Sequence, residues 1–306
     1  MEKHKRIQLM GTTIDLTVRH QEAEKTLDEL VDLLYLYNKR FSANDPTSEL
    51  AQVNKNAGIQ PVKVHPELYE LIKIGKEHSL ASDSSLNITI GPLVQSWRIG
   101  FQDAQKPSDK IIQEKLEIID PGQVVLSKDH VYLTKKGMAI DLGALAKGYI
   151  ADRLIDHLKL VKAESALINL GGNLVTMGPA IQHKDHFWRI GIQNPVKKRG
   201  HTQSVLRIRD QSVVTSGIYE RLYTENGQTY HHIFNSKTGY PIETEIASLT
   251  IVSNLSVEGE IWTTRLFGQS RAEIITQLNA LSDIEGIVID QKGKVYYSEG
   301  VNQLLL

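Results

Sequence analysis

The stretch Asp141-Leu-Gly-Ala-Leu-Ala-Lys-Gly-Tyr-Ile-Ala-Asp152 constrains the fold of this chain more than any other. Ahead of it, Val131-Tyr-Leu-Thr134 reads as a strand, and Met138-Ala-Ile-Asp141 continues in extended form. Behind it, Ile150, Ala151, Leu154, Ile155 and Leu158 recur at helical spacing and share one apolar face. An extended segment therefore passes through a glycine-bearing turn into a helix that must bury a stripe. The first N–H groups of that helix lack intrahelical partners, and its dipole favours negative charge, so the turn is a candidate phosphate site. Lys147 adds a point charge. Asp141 would repel a phosphate, and fits better beside a ribose hydroxyl, a base or a metal. The alternative is a buried turn with an acid at the helix start.

Around this unit the pattern is mixed. Residues 21–38 read as a helix with Leu27, Leu30, Val31 and Leu34 on one face. A second helix starts at Pro66, a favourable first helical position, and buries Leu68, Leu71 and Ile72. A short helix covers Leu93–Trp97, and 259–268 and 271–281 look helical. Segments 124–126, 131–134, 165–170, 187–192, 204–209 and 246–252 alternate or run apolar like strands, and 286–298 reads as a hairpin. The polar stretches 100–115 and 194–203 read as surface insertions. Helices and strands do not alternate strictly, which predicts an α+β fold rather than a doubly wound sheet. No internal repeat, low-complexity tract or linker divides the chain, so residues 1–306 are expected to form one unit.

Composition narrows the function. Hydrophobic residues make up 41% of the chain and the formal net charge is −1, which supports a real core and gives no global drive toward nucleic acid or an anionic membrane. Arg189, Lys197, Lys198, Arg199 and His201 form a local basic cluster, either a solvated loop or a dock for an acidic partner. There is no cysteine, which excludes disulfides, thiolate metal sites and a cysteine nucleophile. No apolar run is long enough to span a membrane. Met-Glu-Lys-His-Lys-Arg lacks the apolar segment of a signal peptide. As the chain stands a cytoplasmic location is expected, with an extracytoplasmic one as the alternative if a signal peptide has been removed.

Several further motifs carry candidate chemistry. Met10, at the start of Met10-Gly-Thr-Thr13, has a flexible thioether that can pack on a ring system or fill core space. Trp97 can stack or be structural. Gly171-Gly172, in Asn169-Leu-Gly-Gly-Asn173, permits close backbone approach, but a tight structural turn is the simpler role. Ser216-Gly217 can donate hydrogen bonds to a phosphate, and Arg221 can pair with phosphate or with a neighbouring acid. His231 and His232 are adjacent, so in an extended segment they point to opposite faces and only one can enter a site. Imidazole titrates near ~6.5, which suits a proton acceptor at working pH. Glu260 and Thr264, four residues apart, share a helix face. A Gly-x-Gly-x-x-Gly fingerprint after a strand is missing, which argues against a dinucleotide redox enzyme.

Read in order, these segments, together with Phe41–Leu50, Asn87–Trp97, Thr215–Arg221, His231–Pro241 and Glu260–Thr264, resemble the ApbE family, the FAD:protein FMN transferases. The resemblance runs from about residue 8 to about residue 300. It implies a T-fold-like single domain of mixed sheets and packed helices. It implies transfer of FMN from FAD to a threonine or serine hydroxyl of a partner flavoprotein, with release of AMP. The acceptor is then expected in an electron-transfer or ion-pumping complex. Breaking a pyrophosphate calls for charge neutralisation by Mg²⁺ or another hard divalent cation. The resemblance assigns that ion to the Ala144 carbonyl, Glu260 and Thr264. FAD is assigned to Asp141, Lys147, Met10, the Leu86, Asn87 and Thr89 segment, Ser216 and Arg221. The motif His-Ile-x-x-x-x-Thr-Gly singles out His232 as the base.

The chain departs from the family pattern in places. Glu260 stands where aspartate is usual, with bulkier Trp262 and Arg265 nearby. An aromatic residue usual near Asn44 is missing. Asn87, Asn173 and Asn235 stand where aspartate is commoner, and Ser236 replaces a frequent proline. These changes remove negative charge from the pocket. Two other readings therefore accompany the transferase: an FAD pyrophosphatase using water as acceptor, and an FAD-binding protein without turnover.

Overall fold

Two tight turns at one end of a large sheet organise the chain. In the computed structural model, which describes residues 1–197 and 200–306, Met10-Gly11 joins the strands Glu2–Leu9 and Thr12–Arg19. Both turn residues have positive φ, 53° and 69°. Such turns match the right-handed twist of the strands they join. Gly171-Gly172 does the same for Ser165–Leu170 and Asn173–Met177, with φ of 69° and 96°. A Cβ on Gly171 would stand 2.0 Å from Thr12 Oγ1, so the two turns pack side by side and only glycine fits between them.

The hairpins pair through Thr12–Arg19 and Ser165–Leu170. Beyond Asn173–Met177 the sheet continues through Ser212–Gly217, Ile246–Ser253 and Ile284–Asp290 to the short edge strand Val295–Tyr297. That makes eight strands, every neighbouring pair antiparallel.

Strand alternation sends Ile14, Leu16, Val18, Ala166, Ile168 and Leu170 to one face, all fully buried. The helices Ala23–Phe41, Pro66–Leu80 and Ala146–Leu160 cover that face. Each such side chain contributes about 1.5–3 kcal/mol by leaving water. Toward the other edge the same face carries Ser256–Leu266 and Arg271–Asn279, packed on Leu249, Ile251 and Val288. The opposite face is covered by the hairpin Trp188–Gln193 and Thr202–Ile208, whose Ile190 and Leu206 meet Val213, Val252 and Ile287. This is the α+β arrangement that the lack of strict alternation predicts.

One expected strand finds its place in a separate sheet, and two expectations change. Residues 131–134 do form a strand, His130–Leu133, but it belongs to a separate three-stranded sheet with Val62–Lys63 and Val124–Ser127. The stretch 100–115, read as an insertion, runs into a helix, Asp109–Leu116, capped by Ser108. Its Ile112 is fully buried beside Leu93, Trp97, Tyr230 and Phe234. Ile112 and Leu116, one turn apart, anchor it with Ile119, a stripe too short to stand out among the polar residues around it. In the basic cluster, Arg189 pairs with Asp185 at 2.7 Å and is not a free charge, while Lys198 and Arg199 lie outside the described residues.

Candidate active site

The site is built where the helices Ala146–Leu160 and Ser256–Leu266 cross the end of the sheet. Their contact is very close. A Cβ on Gly148 would stand 2.6 Å from the Ser256 carbonyl oxygen and 2.7 Å from Glu260 Cγ. At this separation each helix caps the other. Asp152 accepts hydrogen bonds from the N–H groups of Ser256 (2.7 Å) and Val257 (2.9 Å), the first turn of the second helix. Glu260 in turn lies against Gly148, in the first turn of the first helix, whose N–H helps to hold the carboxylate charged. Helix N-termini favour negative charge, so both carboxylates sit where the backbone stabilises them.

Glu260 is 4% exposed. Its Oε1 also accepts from Asn173 Nδ2 at 3.0 Å and lies 3.9 Å from Lys147 Nζ. The Asn173 amide is oriented in turn, because Oδ1 accepts from Ser256 Oγ at 2.6 Å, and Ser256 Oγ meets Ser212 Oγ at 2.9 Å. Burial pushes the Glu260 carboxyl above the usual range, opposed by Lys147, the Asn173 amide and the Gly148 N–H.

The turn ahead of Lys147 has an unusual support. Met138–Asp141 is extended, as expected, but pairs with no strand. Asn54 holds it: Nδ2 donates to the Ile140 carbonyl at 2.9 Å, and the Ile140 N–H donates to Oδ1 at 2.7 Å. The Asp141 N–H donates to the Ile88 carbonyl at 2.8 Å. The partly buried Asp141 carboxylate accepts from the Gly143 N–H at 2.7 Å, closing the turn that contains Ala144. Burial pushes Asp141 up, while the Gly143 N–H and the Arg221 guanidinium pull it down.

Arg221 ties the remaining parts together. Its side chain passes within 2.9 Å of a Cβ built on Gly100 and 3.8 Å of one built on Gly11, beside Met10. It also acts on His232, whose imidazole is pushed down to about 4 by burial first and then by the charges of Arg221, His231 and Lys147. His232 is therefore neutral at pH 7. Its Nδ1 is buried and has no hydrogen-bond partner. His231 is the structural one of the pair: Nε2 meets the Ile242 carbonyl at 3.0 Å and Nδ1 accepts from the Ile233 N–H. Ser216 is half-buried on the same sheet face as Val214, which packs against Gly259 of the second helix.

Other candidates prove local. Leu86 is 2% exposed in the main core, Thr89 is fully buried, and Asn87 Oδ1 accepts from the Thr89 N–H and hydroxyl, capping a short helical turn. Any contact of this segment with a ligand would come from its backbone or its open side, next to Asp141. Trp97 is fully buried and donates from Nε1 to the Gly239 carbonyl at 3.0 Å, which anchors the loop after His232. Asn235 Oδ1 accepts from the Lys237 and Thr238 N–H groups. Asparagine oxygens at 87 and 235 thus do the hydrogen-bonding work that an aspartate would do, without its charge.

No group of three or more His, Asp or Glu among the described residues could hold a metal alone. The oxygen donors fit a hard cation that shares its coordination with substrate. They are the Glu260 carboxylate, the Thr264 hydroxyl one helical turn on, and the carbonyl of Ala144 three residues before Lys147. Mg²⁺ is held by one or two carboxylates, with phosphates and water completing the octahedron. Among the described residues, the buried Glu260 charge has no cation nearer than the ammonium at 3.9 Å.

The arrangement defines an α+β protein whose sheet end gathers a helix-terminal carboxylate, two cations and an unprotonated histidine. The sequence model of the ApbE family matches residues 10–288, and the chain belongs to that family. A relative in Klebsiella pneumoniae, an FAD:protein FMN transferase, is 37% identical over 95% of this chain and 90% of its own length. Another of that name, from Treponema pallidum, is 32% identical over 92% of this chain and 81% of its own. Among solved structures, the ApbE protein of Thermotoga maritima superposes with a TM-score of 0.91 at 24% identity, covering 99% of each chain. The flavin transferase ApbE of Vibrio cholerae gives 0.86 at 24% identity, covering 100% of this chain and 99% of its own.

The residues that sequence reasoning missed are Asp152, Gly148, Asn54 and Ser256. Asp152 and Gly148 lie inside the most informative stretch, but their partners are more than a hundred residues away in sequence.

Proposed function

We propose that this protein transfers FMN from FAD to a threonine or serine hydroxyl of a partner flavoprotein and releases AMP. The observation that carries the reading is His232, a neutral buried imidazole with an unpartnered Nδ1 that feels the charges of Arg221 and Lys147. Transferases of this name among the relatives support it. Asp141, Lys147, Arg221, Met10 and the 86–89 segment hold FAD in this reading. Lys147 and Arg221 face the pyrophosphate as point charges. Glu260, Thr264 and Ala144 would hold Mg²⁺ or a similar cation, which when bound neutralises phosphate charge.

The acceptor oxygen attacks the FMN phosphorus, the bond from that phosphorus to the AMP oxygen breaks, and His232 takes the hydroxyl proton at Nδ1. At pH 7 the imidazole is unprotonated and free to accept. Its low value makes it a weaker base than a free imidazole, so the proton moves as charge builds in the transition state. The acceptor is expected in an electron-transfer or ion-pumping complex.

The test is one reaction: the protein with FAD, Mg²⁺ and a flavoprotein bearing an acceptor threonine. AMP release and in-gel flavin fluorescence are followed, with His232→Ala and Glu260→Ala beside the parent. Fluorescent acceptor and AMP, both lost in the two variants, are the expected outcome. AMP without labelled acceptor would replace the reading with hydrolysis, and bound FAD with neither product would leave a flavin binder.

A further inference from the structure

The Glu260 carboxylate is buried against a helix N-terminus, accepts from the Asn173 amide and faces a second neutral group, the Gly148 N–H. The one cation in ion-pair range among the described residues is Lys147, at 3.9 Å from Oε1, with 29% of its side chain exposed. That distance is beyond a hydrogen bond and near the limit of an ion pair. The ammonium sits on a flexible four-carbon stem, unlike the fixed backbone and amide donors around it. Its charge also disfavours the protonated form of His232, so it acts on both the acid and the base of the site.

We propose that Lys147 is the built-in counter-ion of Glu260, occupying the cation's place electrostatically until the phosphates of the dinucleotide draw it away. The inference rests on the metal-site reading above and deepens it. A mobile ammonium beside the buried Glu260 carboxylate competes with a divalent ion for that charge. Phosphate groups entering the turn offer Lys147 a better partner, which releases Glu260. Metal and FAD then strengthen each other's binding, and by linkage they do so by the same factor. Divalent ions would be excluded from the FAD-free protein by charge, without any movement of the backbone.

The test titrates Mn²⁺ into the full-length protein, with free Mn²⁺ read by electron paramagnetic resonance, in the absence and presence of FAD. FAD affinity is measured by flavin fluorescence with and without Mn²⁺. Lys147→Met keeps most of the aliphatic stem and removes the charge. It is expected to bind Mn²⁺ in the FAD-free state about fivefold more tightly than the parent, a size typical of one partly exposed ion pair. The coupling factor between Mn²⁺ and FAD should shrink by the same amount. What survives is the direct contact of metal with phosphate. Lys147→Arg keeps the charge and should behave as the parent in FAD-free Mn²⁺ binding.

Unchanged or weaker Mn²⁺ binding in Lys147→Met would overturn the proposal. Tighter binding in Lys147→Arg equal to that in Lys147→Met would do so too, because the effect would then be shape and not charge. Glu260→Gln separates the two levels. If it abolishes Mn²⁺ binding while Lys147→Met does nothing, the counter-ion role falls and the metal site stands. If Glu260→Gln binds Mn²⁺ as the parent does, both fall.

Discussion

Two carboxylates, Asp152 and Glu260, sit at the N-termini of two helices that cross at Gly148, each borne by the helix that the other caps. Asp152 is saturated by fixed donors: two backbone N–H groups at 2.7 and 2.9 Å, one to each oxygen. Burial nonetheless pushes its carboxyl up to about 6. Glu260 has one backbone donor, one side-chain amide and a distant ammonium on a flexible stem. A structural carboxylate is surrounded by groups that cannot leave. A working one keeps part of its coordination in the hands of a group that can.

The comparison can be broken at four places. Gly148→Ala attacks both sides at once, because its methyl would stand 2.6 Å from a backbone oxygen. The helices must separate and both caps lengthen, for an expected loss of about 3 kcal/mol, read by denaturant unfolding. Asp152→Ala leaves two buried N–H groups without acceptors and should lower stability by about 2 kcal/mol. FAD affinity at a temperature where the variant is folded should stay near that of the parent.

His232 sharpens the contrast from the side of the base. Its folded value, about 4, lies below the unfolded 6.5. Between these values the unfolded chain binds a proton that the native state refuses, so stability falls as pH drops through that window. From pH 8 to 5.5 the loss is about 1.4 kcal/mol. His232→Gln should remove that part of the slope in a series of melting temperatures against pH. The smallest effect on stability belongs to Glu260→Gln. Removing a buried charge offsets the lost acceptor, and the change should stay within about 1 kcal/mol. AMP release should nevertheless be lost. A Glu260→Gln variant as unstable as Asp152→Ala would erase the distinction between the two acids.

How much of this was legible depended on range. The stripe of Leu27, Leu30 and Leu34 and the proline at position 66 announce their helices, because the signal is local and repeats. The strand-to-helix turn at 141–147 was legible for the same reason. Asn54 was not, since its role is to replace a missing strand partner for Ile140, 86 residues away. The asparagines at 87, 173 and 235 read in sequence as lost charge. In the fold, two of them cap local turns and the third orients Glu260. The reciprocal caps were invisible, because nothing near Asp152 in sequence shows which N–H groups it will meet. Fold class follows from local pattern, whereas this site is assembled from long-range pairs.

The order of strands in the sheet also sets a schedule for synthesis. The hairpin Glu2–Arg19 leaves the ribosome well before its partner strand, which begins at Ser165, and Arg19 meets Glu164, 145 residues later. At ~5–20 residues per second that interval is on the order of ten seconds. Through it, an apolar face of Ile14, Leu16 and Val18 and one open strand edge wait for cover. The outer strand of the waiting hairpin carries Lys3, Lys5 and Arg6, charges of a kind that discourage a neighbouring nascent chain from pairing first. Substituting those three by neutral residues is a change whose consequence would be felt in yield from translation, before any catalysis begins.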